Sequence, residues 1–129
     1  GKDMGLFDKP EDYFGHLNDE MLRAARLVVD TGIHTKGWSR EQAIAYFSQT
    51  LGYSEPESRA QIERYMVWPG QALGYKIGAL KITELRRRAE AALGAKFDLR
   101  AFHDLVLGEG TLPLALLEKK VDRWIAASK

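Results

Sequence analysis

A chain of 129 residues, 45% hydrophobic and 29% charged with 4 Pro, has room at ~100–200 residues per domain for one globular domain, and is neither disordered nor collagen-like. Its 19 Lys and Arg balance 18 Asp and Glu, and a net charge of +1 supplies no field to draw nucleic acid or an anionic membrane. The absence of Cys excludes disulfides, thiolate zinc sites and a cysteine nucleophile, and no apolar run approaches the ~20 residues of a membrane span.

The chain starts on Gly1 and a polar, Gly-containing stretch without signal-peptide character, as a mature form or a fragment would. From Pro10 to about Thr31, Leu17, Met21, Ala24, Ala25 and Val28 recur at helical steps, predicting a first helix with one buried stripe and Gly32 as its stop. Its apolar character widens between Met21 and Val29, which suits a central helix. Ser39-Arg40-Glu41-Gln42 and Ser54-Glu55-Pro56-Glu57 are capping boxes that open two more helices, the second stopping near Trp68 because Pro69 disfavours helical geometry before it. Residues 70–93 read as a long helix carrying Leu73, Ile77, Leu80, Leu85 and Ala89, ended by Gly94. Asp98 caps a short helix with Phe102 and Val106, and Pro113 opens a last one with Leu117, Val121 and Ile125 on one stripe. The expectation is an all-α chain of about six helices, with residues 1–129 as a single region.

Three constellations could carry chemistry. Asp30 in the last turn of the first helix would oppose the helix dipole and needs a partner, either Arg26 one turn back or His34. Gly70, Gly74 and Gly78 fall four apart, so on one helix they make a smooth face for a neighbouring helix or for a ligand beside Gln71 and Tyr75. Phe102-His103-Asp104 and Arg86-Arg87-Arg88 read as structure and as a solvated charged face. No metalloprotease helix, P-loop, nucleophile elbow or dinucleotide fingerprint occurs, and the three histidines lack metal-ligand spacing. The chain alone holds no complete active site.

The run from Arg23 to His34, followed by Gly37-Trp38-Ser39, resembles the bacterial domain of unknown function 885 family, predicted zinc peptidases of gluzincin type. So do Arg64-Tyr65 with Pro69-Gly70-Gln71-Ala72, Gly74-Tyr75-Lys76-Ile77-Gly78, Phe97-Asp98, and Phe102-His103-Asp104 with Leu107. The resemblance covers the C-terminal part of much longer helical proteins whose zinc ligands, in a His-Glu-x-x-Pro-Gly-His helix and a downstream Glu, would lie just before Gly1. It therefore implies a C-terminal piece with no metal ligand or cofactor of its own and zinc in the intact parent, bacterial and either cytoplasmic or exported. In thimet-oligopeptidase-like enzymes a Gly- and Tyr-rich segment supplies transition-state donors, and Gly70 to Tyr75 is similar. By that likeness Tyr75 is the expected oxyanion donor and His34 a second, with Arg64, Tyr65 and Gln71 shaping a peptide groove. The implied partners are the N-terminal remainder of the parent and a peptide substrate, and neither nucleic acid nor membrane. The alternative is a helical interaction or structural module without catalysis. A fragment severed from a larger domain would expose an apolar face able to form a homodimer.

Overall fold

The computed structural model describes Gly1–Lys129 apart from the side chain of Asp3. Six α-helices account for the architecture, with no strand among the described residues. They are α1 (Pro10–Lys36), α2 (Arg40–Leu51), α3 (Glu55–Val67), α4 (Gly74–Leu93), α5 (Leu99–Leu107) and α6 (Leu114–Ser128), with a 3-10 turn at Gln71–Leu73 before α4. The expected caps are in place. Ser39 and Ser54 each accept the backbone N–H three residues on while Gln42 and Glu57 return the bond, and Asp98 accepts from Arg100 and Ala101.

Contacts divide the chain into two compact units, Gly1–Lys76 and Ile77–Lys129, each with its own core. In the first, α2, α3 and the Gln71–Leu73 turn all pack on α1. Ala25, Val29, Ala43, Phe47, Ile62 and Tyr65 are buried together there. In the second, Leu85 and Ala89 of α4 meet Phe102 of α5 and Leu117, Val121 and Ile125 of α6. The basic run belongs to the second unit and is largely paired on its own surface. Arg86 bonds Glu90 at 2.8 Å, and Arg88 bridges Glu84, Glu118 and Asp122. That threefold pairing raises the Arg88 pKa above the ordinary arginine value.

Two expected boundaries need correction. First, α1 does not stop at Gly32 but runs to Lys36 and ends on Gly37, whose φ of 67° is the left-handed cap. Gly32 is internal because Trp38 folds back over it. A Cβ there would lie 2.6 Å from Trp38 Cδ2, inside any tolerable contact, so the helix needs a residue without a side chain at that point. Second, residues 70–73 are not part of α4. Pro69 ends α3, Gly70 turns the chain with φ 81°, and α4 begins only at Gly74. Gly70 therefore does not share a helical face with Gly74 and Gly78, and nothing lies within 4 Å of a Cβ built on either of those two.

The α1 stripe also differs from the expected one. Its buried positions are Ala25, Val29, Asp30 and Gly32, whereas Phe14, Leu17, Met21 and Val28 are between 37% and 71% exposed. These four follow one another at steps of three, four and seven residues and form an exposed apolar seam on α1.

The two internal glycines give opposite expectations. Gly32→Ala forces the Trp38 ring aside, an overpacking cost of ~1–3 kcal/mol set against a helix-propensity gain of ~1 kcal/mol, so stability in urea unfolding should fall. Gly78→Ala enters open space and should gain ~1 kcal/mol. Equal shifts in the two variants would remove the Trp38 contact as the reason for Gly32.

Candidate functional site

Arg26, Asp30 and His34 lie four apart on α1 and so share one face of it. All three address the same stretch of backbone, the end of α3 and the turn that follows. Asp30 is only 2% exposed, and its two carboxylate oxygens accept the Gly70 N–H at 3.2 and 3.1 Å. His34 Nε2 is 3.0 Å from the Tyr65 carbonyl oxygen. A carbonyl only accepts, so Nε2 carries the proton and donates. Tyr65 is in the last turn of α3, where carbonyls have no partner inside the helix, and His34 satisfies one of them. Arg26 makes a long 3.5 Å contact to the Gln71 carbonyl.

These contacts correct the expected pairing of Asp30 with Arg26 or His34. Among the described residues Asp30 forms no ion pair with either, and Asp30 does not lie in the last turn of α1. The helix dipole is therefore not what it answers. Its partner is a backbone amide 40 residues away, which carries no signature in the sequence.

Beside these contacts lies a cavity of about 280 Å³ lined by Arg26, Gln61, Arg64, Tyr65, Gln71 and Tyr75. The Arg26 guanidinium lies over two rings, 5.5 Å from the Tyr65 centroid and 5.3 Å from that of Tyr75, a pair of cation–π contacts. Arg23 covers the Tyr75 ring as well, at 5.5 Å. Arg64 donates from Nε and a terminal nitrogen to the Gln71 side-chain oxygen at 3.2 and 3.1 Å. The Tyr65 hydroxyl donates to Gln61 at 2.9 Å, and burial raises its pKa above the ordinary tyrosine value, so it stays protonated. Arg26 Nε is shut away from solvent and has no hydrogen-bond partner.

Four of the five expected site residues, Arg64, Tyr65, Gln71 and Tyr75, thus meet around one cavity. His34 is not in its lining and works one layer back, on the Tyr65 carbonyl. Sequence reasoning passed over Arg26 as a cavity residue and Gln61 altogether. Spacing could have found them: Arg26 precedes Asp30 by one turn, and Gln61 precedes Tyr65 by one turn. A larger depression of about 550 Å³ in the second unit, lined by Leu112, Leu116, Lys119 and Lys120 among others, contains none of the expected residues. Its Lys120 is engaged by the Leu105 carbonyl and Glu109, so we place the candidate site at the smaller, polar cavity. His103 and Asp104 are exposed on α5. Among the described residues no group of three or more His, Asp or Glu could hold a metal ion.

The helices and this cavity define an all-α region with a basic, tyrosine-walled cleft. The chain belongs to the bacterial family described as bacterial protein of unknown function (DUF885), which matches residues 1–121. It is similar, at 52% identity and a TM-score of 0.91, to a crystal structure from Colwellia psychrerythraea of a protein provisionally described as a lipoprotein. The match covers 98% of this chain and 22% of that one, so the chain spans about a fifth of the similar protein's length. No curated protein matches.

The Asp30 clamp is open to direct measurement. Asp30→Ala leaves the Gly70 N–H without its acceptor and should lower stability by ~1–3 kcal/mol, with faster hydrogen exchange at the Gly70 amide. Asp30→Asn keeps one acceptor oxygen and should fall between. An unchanged Gly70 exchange rate in the alanine variant would mean that something else holds the turn.

Proposed function

We propose that this chain is the C-terminal helical part of a zinc-dependent bacterial peptidase, lining the substrate groove and contributing a transition-state donor but no metal ligand. The observation that carries the reading is the meeting of Tyr75, Arg64, Tyr65 and Gln71, from α3, the Gln71–Leu73 turn and α4, around one polar cavity. Family membership over residues 1–121 supports it, together with the likeness of the Gly70 to Tyr75 segment to transition-state segments of thimet-oligopeptidase-like enzymes. The zinc would be held by residues outside this chain, because the described residues offer no set of ligands for it.

In this reading Tyr75, 62% exposed at the mouth of the cavity, turns its phenol toward the oxygen on which negative charge develops. Arg64 and Gln71 bind the peptide. Tyr65 has its hydroxyl committed to Gln61 and is the wall. His34, expected as a second donor, has its Nε2 proton on the Tyr65 carbonyl, so its role becomes that of a positioning residue for the wall. The likeness to a protein provisionally described as a lipoprotein favours an exported parent over a cytoplasmic one.

A second reading, a docking module, draws on the exposed seam Phe14, Leu17, Met21 and Val28 of α1. The two are compatible, and we assign the seam to the N-terminal remainder of the longer protein, given that a similar chain extends far beyond the matched 22%. A seam of this kind left uncovered favours self-association.

Tyr75→Phe in the intact parent should lower turnover by ~10²-fold, the effect of losing one oxyanion donor, with zinc content retained. Unchanged turnover would remove Tyr75 from the mechanism. For the seam, light scattering of the 129-residue chain should detect dimers that Leu17→Glu with Met21→Glu abolishes. A monomer in both cases would sink the assignment.

A further inference from the structure

The cavity that carries the proposed function has a chemical preference of its own, and we infer that it binds a single carboxylate, the free C-terminal carboxylate of a peptide. Two guanidiniums face it, Arg26 and Arg64, and among the described residues neither has a carboxylate within 4.0 Å. Their other charged neighbours are accounted for: Arg23 is paired with Asp19 at 3.2 Å, and Lys76 with Glu20 at 2.6 Å. Arg64 presents its bidentate edge, Nε and a terminal nitrogen, to a neutral amide oxygen of Gln71. A carboxylate in that seat makes the same two bonds with charge assistance, at roughly twice the strength of neutral ones. The displaced Gln71 amide can then donate to the second carboxylate oxygen through its own N–H groups. Arg26 adds a second guanidinium to the lining, 5.5 Å from the Tyr65 ring centroid and 5.3 Å from that of Tyr75.

The same geometry argues against a phosphate. Phosphate sites commonly draw on successive free backbone N–H groups, and here three of those in the turn are spent: Gly70 N–H on Asp30, Gln71 N–H on the Trp68 carbonyl and Leu73 N–H on the Gly70 carbonyl. A planar carboxylate, matched by the bidentate edge that Arg64 presents, is the better fit.

The choice of a peptide rests on the peptidase reading, whereas the anion preference does not. The two are separable because binding is read without turnover. Titrate the chain by amide NMR with N-acetyl-trialanine carrying a free C-terminus, with its C-terminal amide and with inorganic phosphate. The acid should bind at least about tenfold more tightly than the amide, the effect of one charge-assisted bond, with shifts at Gly70, Gln71 and Tyr75. Arg26→Gln and Arg64→Gln should each abolish that preference. Arg64 is exposed on α3 and its variant should keep the wild-type circular dichroism, which guards against a misfolded Arg26 variant. Equal binding of acid and amide, or no binding by either, overturns the inference. Phosphate binding more tightly than the peptide acid overturns it in favour of a phosphate-bearing ligand. A Tyr75→Phe parent that keeps full turnover would defeat the peptidase reading and leave the acid-over-amide preference standing.

Discussion

The bond from the Gly70 amide to the buried Asp30 carboxylate sets the position of everything around the cavity. Pro69 ends α3 without supplying an amide of its own, and Gly70 then turns through a left-handed conformation that no other residue type adopts at low cost. A turn of that kind leaves a buried N–H facing α1. Asp30 satisfies it, and one helical turn further on His34 satisfies a carbonyl at the end of α3. With Arg26 a turn earlier reaching Gln71, one face of α1 reads the backbone from Tyr65 to Gln71 as a template reads a strand. Tyr65 and Gln71 are fixed at the two ends of that stretch, and the start of α4, with Tyr75, follows directly from it.

This arrangement explains what could be read in the sequence and what could not. The helix starts at Ser39, Ser54 and Asp98 were legible because capping is local: the donor and acceptor lie within three residues of one another. The end of α1 was misread because Gly32 looks like a stop by the same local logic, and only the ring of Trp38 folding over it reveals why a glycine sits inside the helix. The start of α4 was misread for a related reason. Helical spacing of Leu73 and Ile77 continues across Gly70, yet the Pro69-Gly70 pair had to break it once Asp30 took the amide. Periodicity located an apolar stripe on α1 of which Ala25 is buried, while Leu17, Met21 and Val28 are exposed. The true core face is built from the small or branched Ala25, Val29 and Gly32 with Asp30 among them, while the larger Leu17 and Met21 remain outside.

Four of the five expected site residues converge on one cavity, and they are the ones joined by short sequence separation: Arg64 and Tyr65 at the end of α3, Gln71 and Tyr75 just past the turn. The turn brings them together, so proximity in sequence became proximity in space. His34 comes from a distant helix, and its partner is a backbone carbonyl. Backbone partners have no residue type, so no pattern of side chains could have announced the bond that holds it.

The distribution of charge gives the cavity its character more than the net charge does. In the second unit the clustered cations are neutralised where they stand: Arg88 meets three carboxylates, and Lys81 meets Glu84 and Glu118. Such exposed networks hold helices in register and, being screened, attract little. At the cavity the opposite holds. Arg26 lies over two tyrosine rings with one nitrogen buried and unanswered, and Arg64 rests on a neutral amide. A cation that rests against aromatic rings with no carboxylate at ion-pair distance keeps more of its field for whatever enters, and the less it must reorganise when an anion arrives, the more of that attraction is retained. The near-zero net charge therefore averages over a cluster of cations paired with carboxylates and a cleft whose two arginines rest on rings and a neutral amide, and it is the cleft that has charge to offer a ligand.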